Sequence, residues 1–193
     1  MAEPETDQDL EVLLDHLRRS RGFDFTGYKR ASLSRRIHKR MQVVGADSYL
    51  SYLDHLEVDP EEFTQLFNTI LINVTSFFRD PPTWDYLRAE ILPRLAESQP
   101  DGEPIRMWSA GCASGEEAYS LAMATAEVLG ADTVRERVKI YATDVDEDAL
   151  NQARQARYTP RQVEGVPPEL LERYFERNGH GHVFSKDLRA GPW

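Results

Sequence analysis

The residues best suited to chemistry lie in Trp108-Ser-Ala-Gly-Cys-Ala-Ser-Gly-Glu-Glu117 and, further along, in Asp144-Val-Asp146. Gly111 and Gly115 permit a tight turn and let a ligand approach the backbone closely. A phosphate loop is excluded, because Glu116-Glu117 replaces the Lys-Ser/Thr that should follow the last glycine. Two carboxylates at the start of a helix complement its dipole and repel phosphate. The turn therefore suits a cationic or hydroxyl-bearing ligand, or serves only as a strand-to-helix connection. Asp144 ends the next apolar run; in dinucleotide folds an acidic residue there accepts hydrogen bonds from the two ribose hydroxyls. Asp146 is the better placed helix cap. Turn and carboxylate together predict an adenosine-bearing cofactor. The single cysteine, Cys112, excludes an internal disulfide and a multi-cysteine zinc site. The histidines at 16, 38, 55, 180 and 182 show no metal spacing, and His180-Gly-His182 reads as a polar turn.

These residues need elements to hold them. Ile105 to Ala110 reads as a short strand, Glu116 to Leu129 as a long helix ended by Gly130, and Val138 to Thr143 as a second strand. Asp146 then caps a helix over 148–157. Strand, glycine turn, helix, strand, acidic turn and helix make the opening half of a doubly wound parallel sheet, with ligands bound at the carboxyl ends of its strands. Before it, Trp84, Leu87, Ile91 and Leu95 fit a helix. Asn73 to Pro82 is polar, carries Phe77-Phe78 and ends in a Pro pair, as a connection between domains would. Phe77 and Phe78 are expected in the core between those domains rather than as a platform for adenine.

Upstream, residues 7–71 read as four short amphipathic helices. Leu10, Leu13, Leu14 and Leu17 form one apolar stripe, and Leu33, Ile37 and Met41 another, ended by Gly45. Asp47 is expected to cap a helix over 49–56, and Asp59-Pro60 to open one carrying Phe63, Leu66, Phe67 and Ile70. The predicted class is α/β: an N-terminal all-α bundle followed by the first half of a Rossmann-like sheet.

The formal charge of −10 is unevenly spread. Between Arg18 and Met41 nine basic residues face only Asp24, leaving that segment near +8 and the rest near −18. The pattern predicts one surface for an anionic partner and argues against nucleic acid. The acidic N-terminus lacks the basic-then-apolar order of a signal peptide, and no run of about 18 apolar residues exists, so no membrane insertion is expected. A cytoplasmic monomer is the expectation.

Three stretches then carry a resemblance. Ile72-Asn-Val-Thr-Ser-Phe-Phe-Arg-Asp, the segment from Trp108 to Ala122 and Tyr141-Ala-Thr-Asp-Val-Asp closely resemble the motifs of CheR-type chemotaxis-receptor protein-glutamate O-methyltransferases, in the family's order and at similar separations. The resemblance spans nearly the whole chain. It implies S-adenosylmethionine as cofactor, with Gly111 in the turn beside it, Glu117 and Asp144 in contact with it, and Asp144 on its ribose. It implies that Asn73, Thr75 and Arg79 approach the methionine end and the active site, Arg79 being a fixed cation for a carboxylate. It further implies three parts: residues 1–72 docking the substrate, 73–82 linking and contributing to the cofactor site, and 83–193 binding the cofactor. Arg35, Arg36, Lys39 and Arg40 would meet the acidic helices of chemoreceptors.

The resemblance fails late in the chain. The family's later strand ending in Cys-Arg-Asn is missing, and the sequence instead runs through Tyr158-Thr-Pro, a helix over 169–177 and a last strand over 182–185. With only two or three parallel strands, one sheet edge and face are expected to lie open. The chain then represents either part of such a methyltransferase or a shortened, non-catalytic receptor-binding module with a remnant cofactor site.

Overall fold

Leu10, Leu13, Leu14 and Leu17 are buried along one side of α1 (Asp7–Arg21), and Leu33, Ile37 and Met41 along one side of α2 (Arg30–Val44). Gly45 ends α2 in the left-handed conformation, its N–H bonded to the Met41 carbonyl. Ser48, not Asp47, caps α3 (Tyr49–Val58), accepting from Ser51 N at 3.2 Å. The helix begins one residue beyond Ser48, which leaves Asp47 a position too early to reach its first amides. Asp59 caps α4 (Pro60–Ile70), accepting from Glu61 N at 3.0 Å, with Pro60 in the first turn. Leu13, Leu33 and Leu66 are almost wholly buried between the four helices, and burying such a side chain stabilises by about 2 kcal/mol.

The computed structural model describes residues 7–71, 73–100 and 102–189. The chain divides into two units, Met1–Ile72 and Asn73–Trp193. Phe77 and Phe78 lie inside the core of the second unit itself, rather than between domains. Phe77 packs edge-on against Tyr158 and Phe175, with ring centroids 4.9 and 5.5 Å away.

In that unit α5 (Pro81–Tyr86) runs through one π turn, Leu87–Ile91, into α6 (Leu92–Ser98). Pro93 lacks an N–H and crowds the carbonyl four residues before it. The wider turn ahead of Pro93 relieves that crowding and keeps the predicted helix continuous. The strands β1 (Ile105–Ala110) and β2 (Val138–Thr143) pair in parallel from Ile105 opposite Val138 to Ala110 opposite Thr143. Their crossover carries the predicted helix, α7 (Glu116–Leu129), and a short one that periodicity did not reveal, α8 (Ala131–Arg137). α9 (Glu147–Gln155) follows, capped by Asp146.

The last part differs from expectation. β3 (Arg157–Tyr158), β4 (Phe175–Asn178) and β5 (Gly181–Phe184) form an antiparallel sheet in the order β3-β5-β4. The helix expected over 169–177 is α10 (Pro168–Tyr174), and it stops where Phe175 turns into the core as the first residue of β4. Aromatic burial outweighs helical propensity there. Among the described residues the parallel sheet has two strands. Its inward residues Ile105, Met107, Val138 and Ile140 join the core, whereas Arg106, Trp108, Lys139 and Thr143 face outward. Trp108 is 70% exposed.

Candidate functional site

At the carboxyl end of β1 the chain leaves the sheet through Gly111 to Gly115. Gly111 N and Cys112 N both donate to the Thr143 carbonyl, at 2.8 and 3.0 Å, so the turn is sewn to the end of β2. Gly111 and Gly115 have positive φ, and Ala113 is held at φ 46°. At Gly115, φ 93°, a Cβ would come within 3.0 Å of Ala153 Cβ and 3.1 Å of Tyr119 Cε2. Only glycine combines that conformation with that closeness. Two phenols buttress the turn: Tyr158 donates to the Ser114 carbonyl and Tyr119 to the Ala153 carbonyl, both at 2.8 Å. Burial raises the pKa of each phenol above the ordinary tyrosine value.

Asp144 closes the second strand. Its Oδ2 accepts from Ala113 N at 2.7 Å and its Oδ1 from Asp146 N at 2.9 Å. The carboxylate thereby sets both the glycine turn and the acidic turn, while remaining half-exposed with lone pairs left for hydroxyl donors. Glu117 is exposed, and Ser109 Oγ, buried on β1, donates to its Oε1 at 2.8 Å. Glu116 turns inward, 2% exposed, and accepts from Ser114 Oγ at 2.8 Å. Glu116 thus lies buried at the start of α7, whereas Glu117 faces solvent. Cys112 is buried beside these carboxylates; burial first, then Asp144, pushes its thiol up to about 11.

The segment from Asn73 is bound to the same turns. Asn73 Nδ2 donates to Asp146 Oδ2 at 2.6 Å, and Phe78 N to Ser120 Oγ at 3.0 Å. Thr75 is half-buried. Arg79 is exposed and folds back on its own segment, donating to the Val74 carbonyl at 2.8 Å, while Trp84 Nε1 donates to the Arg79 carbonyl at 2.7 Å. The structure thus joins Asn73, Gly111, Glu117 and Asp144 through a shared hydrogen-bonded framework, with Thr75 and Arg79 on the segment that enters it. Ser109, Ser120, Asp146 and Tyr158 position these groups and were not anticipated in that role. Asp146 carried a sequence signal as a helix cap, and Ser109 as the polar residue at an inward strand position.

The four basic residues of α2 separate into two kinds. Arg35 and Lys39 are exposed. Arg36 donates to the Ile70 carbonyl at the end of α4. Arg40 Nε donates to Glu62 Oε1 at 3.0 Å, and Tyr52 OH donates to the same oxygen at 2.5 Å. The Arg40 and Glu62 side chains are only 16% and 4% exposed. Hydrogen bonding to Glu62 raises the Arg40 pKa further.

A cofactor with a cationic centre, an amino group and ribose hydroxyls fits this set, because carboxylates surround the turn and no lysine or arginine awaits a pyrophosphate on it. Among the described residues no His/Cys/Asp/Glu cluster could hold a metal, and no helix is long and apolar enough to cross a membrane.

Comparison with known proteins agrees with that chemistry. Residues 8–71 match the CheR methyltransferase all-alpha domain, and residues 73–191 the CheR methyltransferase SAM binding domain, which indicates S-adenosylmethionine as the cofactor. The chemotaxis protein methyltransferase of Borreliella burgdorferi is 31% identical over 176 residues, 89% of this chain and 62% of that protein. That of Escherichia coli is 33% identical over 165 residues, 83% of this chain and 54% of that protein. That of Listeria innocua is 32% identical over 186 residues, 96% of this chain and 69% of that protein. The chain therefore spans a little over half to about two thirds of these relatives. With both of its units matched by the family's two domains, the chain belongs to the CheR methyltransferase family.

Proposed function

We propose that this chain carries the target-docking and cofactor-binding parts of an S-adenosylmethionine-dependent protein-glutamate O-methyltransferase acting on chemoreceptors. The observation that carries the reading is the pair of carboxylates, half-exposed Asp144 just past the end of β2 and exposed Glu117 in the first turn of α7, oriented by Ala113 N and Ser109 Oγ. When bound, S-adenosylmethionine supplies a methyl group activated by its sulfonium. Asp144 accepts from ribose hydroxyls, and Glu117 complements the positive end of the cofactor. Arg79 offers its guanidinium to a carboxylate of cofactor or substrate. A glutamate acceptor is already ionised near neutral pH, so no general base is needed, which accords with a site built from carboxylates, amides and one arginine. Positioning and exclusion of water carry most of the rate.

Arg35 and Lys39 are the residues of α2 best placed to attract acidic receptor helices, since Arg36 and Arg40 are spent inside the bundle. The reading carries with it a cytoplasmic location and a monomeric chain. Calorimetric titration with S-adenosylhomocysteine is expected to show binding that Asp144→Ala weakens at least tenfold, as the loss of hydrogen bonds to a charged acceptor implies. Absence of binding would sink the cofactor reading. Base-labile methyl groups on a receptor fragment, after incubation of the full-length gene product with S-adenosylmethionine, test the transfer itself. A second reading, a receptor-binding module that does not transfer methyl groups, is favoured by the open outer sheet face around Trp108. Receptor binding without methyl ester would select it.

A further inference from the structure

Asn73 is exposed, yet the donor end of its amide is committed: Nδ2 lies 2.6 Å from Asp146 Oδ2. A carboxylate can only accept, so this contact fixes which way round the Asn73 amide sits. Asp146 in turn is anchored: it is 5% exposed, and its other oxygen, Oδ1, accepts from Ala149 N at 2.9 Å as the cap of α9. Its own N–H donates to Asp144 Oδ1 at 2.9 Å. The Asp146 carboxylate thus ties the entry segment to the helix, and its backbone N–H ties both to Asp144. With the amide nitrogen turned to Asp146, the carbonyl Oδ1 forms the opposite end of the Asn73 amide.

We propose that Asp146 is a positioning residue that makes Asn73 present a hydrogen-bond acceptor to the cofactor, so that the site selects a ligand with an ammonium group at that end. This rests on the cofactor reading above. The substitution Asp146→Asn isolates the effect. Asparagine caps helices as well as aspartate, and its Oδ1 must still serve Ala149 N, which turns its Nδ2 toward Asn73. Two amide nitrogens then face each other, and Asn73 flips to present N–H where an acceptor stood. In the double variant, Asn73→Asp combined with Asp146→Asn, the bond re-forms with reversed polarity. The carboxylate introduced on the entry segment then offers an acceptor to the cofactor again.

The experiment is titration of wild type and both variants with S-adenosylhomocysteine and with 5′-methylthioadenosine, which has the nucleoside thioether but no amino-acid end. D146N is expected to bind S-adenosylhomocysteine roughly tenfold or more weakly, with methylthioadenosine affinity and the thermal midpoint nearly unchanged. The double variant is expected to recover most of the loss. Unchanged S-adenosylhomocysteine affinity in D146N, or equal losses for both ligands, would overturn the positioning role while leaving the cofactor site standing. If wild type binds neither ligand, the cofactor reading and this inference fall together.

Discussion

Charge on α2 does two jobs that look alike in one dimension. Arg40 neutralises Glu62, buried with Tyr52, whereas Arg35 contacts solvent. Arg40→Ala would strand a buried carboxylate at a cost of about 3 kcal/mol, since breaking one partner of a buried pair is far costlier than losing a surface pair. Arg35→Glu should leave stability within about 0.5 kcal/mol and instead slow association with an acidic receptor helix, most visibly at low salt. Urea denaturation and stopped-flow binding separate the two; equal destabilisation by both substitutions would refute the distinction. Nothing in the run of arginines and lysines marks which are spent internally, because their partners, the Ile70 carbonyl and Glu62, arrive from α4, well along the chain.

Among elements, the turn between β1 and α7 depends most on a single atom. Gly115→Ala forces a Cβ onto φ 93° and against Ala153 and Tyr119. A destabilisation of about 1–2 kcal/mol is expected from the backbone alone, together with weaker S-adenosylhomocysteine binding; thermal melting and titration measure each. A melting point equal to wild type would mean that the turn relaxes freely. This region was legible in the residues themselves. The bounds of β1, α7 and β2 follow from apolar runs broken by glycine and aspartate, and those signals are local. The antiparallel sheet β3-β5-β4 was not legible. β3 has two residues, and β4 takes Phe175 out of an otherwise helical run because Phe77, Tyr158 and Phe184 meet it in space. The hydrogen bond from Asn73 to Asp146 is hidden for the same reason, since no periodicity joins residues so far apart.

For the whole molecule, alkali is the revealing perturbation. Burial and Asp144 hold the Cys112 thiol up to about 11, and burial with the hydrogen bond to Glu127 holds the Tyr174 phenol up to about 12. In the unfolded chain these groups lose their protons at ordinary values, near about 8.5 and 10. Above those values the folded state binds more protons than the unfolded one, so stability falls as pH rises. The urea midpoint should therefore decline between about pH 8.5 and 11, and Cys112→Ala should flatten the first part of that decline; a midpoint constant over the interval would contradict the burial of both groups. The open outer face of the β1–β2 sheet has a consequence of an optical kind. Trp84 is buried, and Trp108 stands in solvent with its Nε1 donating to Thr143 Oγ1 at 2.9 Å, one residue from Asp144. With the third indole, Trp193, replaced by phenylalanine, selective excitation should give a red component from Trp108 that shifts to the blue when further protein covers the sheet, and that changes in intensity when a nucleoside settles at the neighbouring turn. Without any label, the light from one indole would tell a bare sheet from a covered one.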